Sequence, residues 1–223
     1  MEKCECLAYS YHICLKSIFK ELNLSYCHMI PKPCTYPLVV YTVGIRSSLY
    51  PPSEEMRLKE MGAEFYRTSR GGLITFHGPG QLVAYPVLNL QVWTPSVKWY
   101  VCQLEKTIIE LCHQLDIYAS TSPYTGVWVQ NKKIAAIGIR MSRWVTSHGI
   151  GLNCNTDLSW FDHIVPCGIA DKGVTSLSQE VGGDVSVSDA TPFFLSAFSH
   201  VFHCSFKSQT LDELWYDLDN SSR

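Results

Sequence analysis

Residues 70–86 read RGGLITFHGPGQLVAYP, a run with four glycines and two prolines set between apolar segments. Gly71, Gly72, Gly78 and Gly80 can take positive φ and carry no side chain, so backbone N–H groups there can approach the polar head of a ligand closely. Leu73–Phe76 and Leu82–Val87 read as strands on either side, which holds His77 at a strand end, where rigid scaffolds present reactive groups. A pair of tight turns between strands accounts for the same glycines, so the run alone does not fix a function.

Outward from this run, the pattern alternates strands with a few helices. Towards the N-terminus, Glu64–Arg67 and Leu38–Val43 read as strands, with a short helix beginning near Ser53 between them. Asn23–Pro37, with three prolines and no period, reads as irregular connection. Leu7, Tyr11, Cys14, Leu15, Ile18, Phe19 and Leu22 recur at helical spacing and predict an amphipathic helix. Towards the C-terminus, Thr94-Pro95 reads as the cap and first residue of a helix whose buried face is Val97, Val101, Leu104, Ile108, Leu111 and Leu115. Val127–Val129 and Lys133–Met141 form a hairpin through Gln130-Asn131-Lys132, and Gly149–Asn153 follows as a strand. Asp157 caps a short helical piece over residues 158–163, and Ser188 is placed to cap a last long helix with Phe193, Phe194, Ala197, Val201 and Phe202 inward. Strands in the middle with helices at both ends, and hairpins in place of βαβ units, predict an α+β domain with a mixed sheet flanked by helices.

The 223 residues, 46% hydrophobic, suffice for a full core and read as a single domain over residues 1–223. A net charge of −2 leaves no basic footprint for nucleic acid. No apolar run approaches the roughly 18 to 20 residues that span a bilayer. The ten cysteines show no CxxC pair and no paired spacing, and the N-terminus has neither a secretory apolar region nor an arginine-rich presequence. This pattern predicts reduced thiols inside a cell and no metal site.

Two residues stand out as chemistry. Lys133 opens a strand whose next residues, Ile134–Ile137, are apolar and small, and an amine against such a dry wall is easier to deprotonate. Cys167 lies between Pro166 and Gly168 in a stiffened, uncrowded loop, where a thiol is reachable. Each alone reads more simply as a solvated turn lysine or an idle thiol. Together they make a nucleophile with a base, able to form a thiolate that attacks a carbonyl carbon.

RGGLITFHGPGQLVAYP, followed in order by KIAAIGIR, SHGIGLNCN and VPCG with VTSL, resembles the octanoyl (lipoyl) transferases over roughly residues 40–181. The resemblance implies the fold of the biotin and lipoate protein ligases, and transfer of octanoyl from acyl carrier protein to a lysine of lipoyl domains, without ATP, cofactor or metal. Those acceptors would be the E2 subunits of 2-oxoacid dehydrogenases and the glycine cleavage H protein. It implies Cys167 as acyl-thioester nucleophile and Lys133 as its general acid and base. Arg70, Gly71, Gly72, Leu73, Ile74, Thr75, Phe76 and His77, Ala136, Ile137 and Gly138, and Gly149, Ile150 and Gly151 would line the acyl site. It further implies a mitochondrial enzyme in eukaryotes and a cytoplasmic one in bacteria. Residues 1–37 depart from the family pattern: Tyr36-Pro37 stands before the VYT run with no nearby histidine. The competing readings are an ATP-dependent lipoate or biotin ligase and a binding protein that grips acyl carrier protein or lipoyl domains.

Overall fold

The computed structural model describes residues 4–8, 27–33, 39–169 and 172–208. In chain order the elements are β1 (Cys4–Ala8), β2 (Cys27–Pro33), β3 (Val40–Val43), α1 (Pro52–Glu60), β4 (Glu64–Arg67), β5 (Thr75–His77), β6 (Gln81–Val87), α2 (Val97–Gln114), β7 (Val127–Val129), β8 (Lys132–Ser142), β9 (Val145–Asn153), β10 (Gly173–Val174), α3 (Leu177–Val181), α4 (Val187–Phe202) and β11 (Cys204–Ser208). The main sheet is eight-stranded in the order β10-β8-β9-β6-β2-β1-β11, with β7 pairing β8, and a second sheet runs β4-β3-β5. Both sheets mix parallel and antiparallel pairs.

Alternation along β6 divides the main sheet into two faces. Leu82 and Ala84 point into the principal core, where Tyr100, Leu104, Ile108 and Leu111 of α2 meet Phe194, Ala197, Phe198 and Phe202 of α4. Gln81, Val83 and Tyr85 therefore face the other way. The small sheet has its own core of Tyr41, Val43, Leu58, Phe65, Ile74, Phe76 and Phe161. The functional slot lies between the open face of the main sheet and the loops of the small one.

Several local expectations need correction. Residues 27–33 are strand: β2 pairs with β6 from His28↔Val87 to Pro33↔Leu82 and, over Cys27–Met29, with β1. Pro31 and Pro33 thus stand inside a paired strand although neither has an N–H to give its ladder. Leu7 belongs to β1, so the predicted N-terminal helix does not begin there; residues 9–26, and the tail beyond 208, lie outside the described residues. The cap of α2 is Ser96, whose side chain accepts from Trp99 N–H, and Val97 is exposed. The cap of α4 is Ser186, in a reciprocal capping box with Asp189. In both cases a serine next to the expected start competes successfully for the free N–H groups of the first turn. Asp157 does cap residues 158–163, a 3-10 turn. The strands β8 and β9 are one long hairpin closed by Arg143 and Trp144, both at positive φ, as a two-residue turn of the right twist requires.

Candidate active site

Cys167 sits in the 3-10 turn Pro166–Gly168 at φ 54° and ψ 19°, in the left-handed region. Its N–H donates to the Ile74 carbonyl at 3.0 Å, tying the turn to the start of β5. The preceding segment is anchored in the small core: Phe161 packs edge-on against Phe76, and the Tyr41 hydroxyl donates to the Trp160 carbonyl at 2.6 Å. Cys167 is half-buried, whereas Cys112 and Cys154 lie in the main core, where burial pushes both thiols up to about 12. Those two are inert packing groups.

Lys133 is only 7% exposed, unlike its neighbour Lys132, which faces solvent. Its register partners are Trp128 on β7 and Val174 on β10. The Nζ donates to the Thr125 carbonyl at 3.1 Å and lies over the Trp128 ring. Lys133 and Cys167 open into one narrow crevice with about 260 Å³ of empty space, open solvent included, together with Thr75, Gln81, Asn153 and Phe161. Its polar walls are organised. Gln81 Nε2 donates to the Phe76 carbonyl and to Asn153 Oδ1 (2.9 Å), so its Oε1, 2.7 Å from His77 Nδ1, must accept, and His77 carries its proton on Nδ1. Asn153 in turn donates to the Thr175 carbonyl at 2.9 Å.

Cys167 also borders a larger slot with about 610 Å³ of empty space, mouth included. Its floor is built from register rows of the main sheet. Val83, Gly151 and Ala136 form one row, and Gly149 and Gly138 pair in the next. The glycines there are steric necessities. A Cβ on Gly149 would stand 2.2 Å from the Ala84 carbonyl oxygen, and one on Gly138 would stand 3.0 Å from Arg70 Cδ. Arg70 is 8% exposed and its guanidinium donates to the carbonyls of Gly71, Leu73 and Thr42 and to the Thr42 hydroxyl, at 2.7 to 3.0 Å. Burial pulls it below the ordinary guanidinium range, while charge on Cys167, Tyr85 or Tyr50 would oppose that shift. The Tyr85 and His148 rings meet edge to face, and burial, reinforced by Arg70 and Arg140, holds His148 below the usual histidine value.

Of the residues singled out from sequence, Arg70, Gly72, Thr75, His77, Ala136, Ile137, Gly138, Gly149, Ile150, Gly151 and Cys167 border the slot. Ile74 and Phe76 do not: strand alternation turns both into the small core while Thr75 and His77 face the slot. Gly71 and Leu73 stand behind it, Gly71 bonding the Ile139 carbonyl and Leu73 packing against Gly168. Thr42, Thr68, Val83, Tyr85 and His148 also line the slot and were not read as lining residues. The signal for Val83 and Tyr85 was available, since they share a strand face with Gln81; nothing local marks Thr42 or Thr68. Among the described residues, no cluster of three His, Cys, Asp or Glu side chains could hold a metal. No helix among them is long and apolar enough to cross a membrane.

Residues 35–199 match the family model described as the lipoyl protein ligase A/B catalytic domain. The chain belongs to this family. Within it, the chain is 63% identical over 166 residues to the mitochondrial octanoyl-[acyl-carrier-protein]:protein N-octanoyltransferase LIPT2 of Danio rerio, covering 74% of each chain. It is 49% identical over 173 residues to the protein of the same name from Homo sapiens, covering 76% of this chain and 74% of that one. Among solved structures, lipoate-protein ligase A bound with ATP superposes with a TM-score of 0.73 over 99% of this chain and 94% of that chain. At 15% identity that likeness establishes the fold alone. A lipoyl protein ligase A/B domain is thus an α+β structure of mixed sheets with helices alongside, as the sequence predicts.

Proposed function

We propose that this protein moves an octanoyl group from acyl carrier protein to a lysine of lipoyl domains through a thioester on Cys167, in mitochondria. The observation that carries the reading is the cavity shared by the Cys167 thiol and the buried Lys133 amine, beside a glycine-floored slot. Relatives that cover three quarters of the chain are named for this transfer.

In the first step Lys133 takes the thiol proton, and the thiolate attacks the carbonyl carbon of the donor thioester. The tetrahedral oxyanion collapses, the carrier's thiolate leaves, and Lys133 returns the proton to it. In the second step the acceptor lysine attacks the Cys167 thioester, Lys133 accepts the amine's proton and passes it to the departing sulfur, and the cysteine leaves as thiol with an amide formed. One thioester replaces another in the first step at little cost, and amide formation drives the second, so no nucleotide is consumed. The Gly168 N–H is bonded to the Val165 carbonyl, and the Cys167 N–H to that of Ile74. Gly72 borders the slot and its N–H has no backbone partner among the described residues, which supports it as a donor to the oxyanion. Acceptors of this chemistry are the lipoyl domains of 2-oxoacid dehydrogenase E2 subunits and the glycine cleavage H protein.

Intact-mass measurement of the protein after mixing with octanoyl-acyl carrier protein tests this without ATP. An octanoyl adduct on the wild type, absent from Cys167→Ala and discharged by a lipoyl domain, is expected. An equal adduct on Cys167→Ala, or dependence on ATP, overturns the reading.

A further inference from the structure

Glu105 follows Leu104 on α2, where the helix packs into the main core, and is itself 8% exposed. A carboxyl buried to that degree is ordinarily held by a cation or a metal. Among the described residues the partner recorded for Glu105 is instead a backbone group: its Oε1 accepts from the Gly126 N–H at 3.0 Å. That N–H and the Thr125 carbonyl belong to the same planar peptide unit, and in a trans peptide the two point in opposite directions. At the far end of the plane, the Thr125 carbonyl accepts from Lys133 Nζ at 3.1 Å. A side chain of α2 thus grips one end of a rigid unit, and the Lys133 amine is bonded to the other.

The surroundings keep that peptide against the lysine. Gly126 has φ +121°, and a Cβ there would stand 2.6 Å from the Ala135 carbonyl oxygen and 3.3 Å from Lys133 Cε, so only glycine allows the approach. The Trp128 indole N–H donates to the Tyr124 carbonyl at 3.1 Å, which ties down the same loop one residue earlier. The β7–β8 ladder shifts register between Val127 and Trp128, next to the pair Trp128↔Lys133, and such an irregularity re-aims side chains.

We infer that Glu105 is a positioning residue of the transfer: it fixes the Thr125–Gly126 peptide, and through it the seat of the Lys133 amine in the crevice shared with Cys167. This deepens the reading of Lys133 and Cys167 given above and rests on it. A lysine carries its amine on a flexible four-carbon stem, and holding that stem in one rotamer costs conformational freedom. A carbonyl free to turn would let the amine swing out of the crevice; one clamped from a helix buried in the core does not. No bond to Glu105 is made or broken in the reaction, and the clamp requires an acceptor oxygen at that place, not a charge. Glutamine carries the same oxygen on the same stem, whereas leucine offers none.

The seat is read directly from the Lys133 Hε resonance in lysine-labelled full-length protein, assigned by its loss in Lys133→Arg. The Trp128 ring, whose centroid is 4.8 Å from Nζ, displaces that resonance while the side chain is seated. Glu105→Gln should keep both the displaced resonance and the wild-type turnover of octanoyl transfer. Glu105→Leu should move the resonance towards that of an exposed lysine and lower turnover on the order of a hundredfold, with the half-saturating donor concentration unchanged. Should the leucine variant not fold, Glu105→Asp, which keeps the carboxyl but withdraws it by one methylene, should move both readouts in the same direction. A role in stability alone would lower the unfolding midpoint and leave the resonance and turnover of the folded variants in place; that result overturns the inference. A wild type that takes no octanoyl on Cys167, with a Lys133 resonance that still follows the Glu105 series, would overturn the acyl-transfer reading and leave the clamp standing.

Discussion

Replacing Gly168 by alanine separates backbone strain from crowding at the nucleophile, because a second glycine provides the control. Gly168 has φ +72° and Gly182, at the C-cap of α3, has φ +76°, so alanine meets the same left-handed strain at both, about 1 to 2 kcal/mol. Around Gly182 a new Cβ meets nothing within 4 Å, whereas at Gly168 it would stand 2.5 Å from Leu73 Cδ1. Leu73 is half-buried and Cδ1 ends its side chain, so the clash is relieved by a change of side-chain torsion that adds about 0.5 to 1.5 kcal/mol. Leu73 directly precedes Ile74, whose carbonyl holds the Cys167 N–H at 3.0 Å, so the strain reaches the sulfur. A displacement of about 1 Å costs on the order of a hundredfold in rate. Urea unfolding and the initial rate of octanoyl adduct formation by intact mass measure the two effects. Gly182→Ala should lose about 1 to 2 kcal/mol with an unchanged rate; Gly168→Ala should lose about 1.5 to 3.5 kcal/mol and most of its rate. Equal losses in the two variants, or a wild-type rate in Gly168→Ala, would refute the reasoning.

Three further outcomes follow from the site. Gln81→Leu removes the buried amide that bridges His77 Nδ1, Asn153 Oδ1 and the Phe76 carbonyl, and an unmatched Asn153 oxygen in that buried position costs about 1 to 3 kcal/mol, so the chemical denaturation midpoint should fall below that of a surface substitution. Since the folded chain holds His148 below the usual 6.5, its contribution to stability is complete above that value and is lost as pH falls through it towards the folded value. His148→Asn, an amide that accepts the left-handed backbone there, should therefore lose less stability than wild type between pH 7.5 and lower pH; parallel denaturation curves would contradict this. Tyr41→Phe removes the hydroxyl that donates to the part-buried Trp160 carbonyl at the base of the Cys167 loop and should lower the thermal midpoint with a stability loss of about 0.5 to 1.5 kcal/mol, while the phenol itself, raised to about 12 by burial, contributes no titration below pH 9.

The glycine run, the β7–β8 hairpin and the β6 strand were legible because each carries its own local signal: turn residues at the right places and alternation between them. Ile74 and Phe76 were misassigned to the slot because a contiguous motif hides the fact that alternate residues on a short strand serve opposite faces. The strand over residues 27–33 was unreadable locally, since its prolines speak against a ladder and the partner that makes it a strand, β6, lies far along the chain. Lys133 showed the same limit. A lysine beside Lys132 in a hairpin turn gives no sign of which one is buried, and the choice is made by Trp128 across the hairpin together with Thr125 and Gly126, from a loop that the pattern does not connect to it.

Arg70 brings a full positive charge to the slot wall, yet its recorded hydrogen bonds go to the chain's own backbone and to one hydroxyl. The plane of that cation is therefore set by the fold and not by whatever occupies the slot. Negative charge arising beside it meets a standing field, with no dipoles left to swing round during the reaction. A lysine at the same position would supply the charge without the planar fork that locks it, and the field would have to be rebuilt at every turnover.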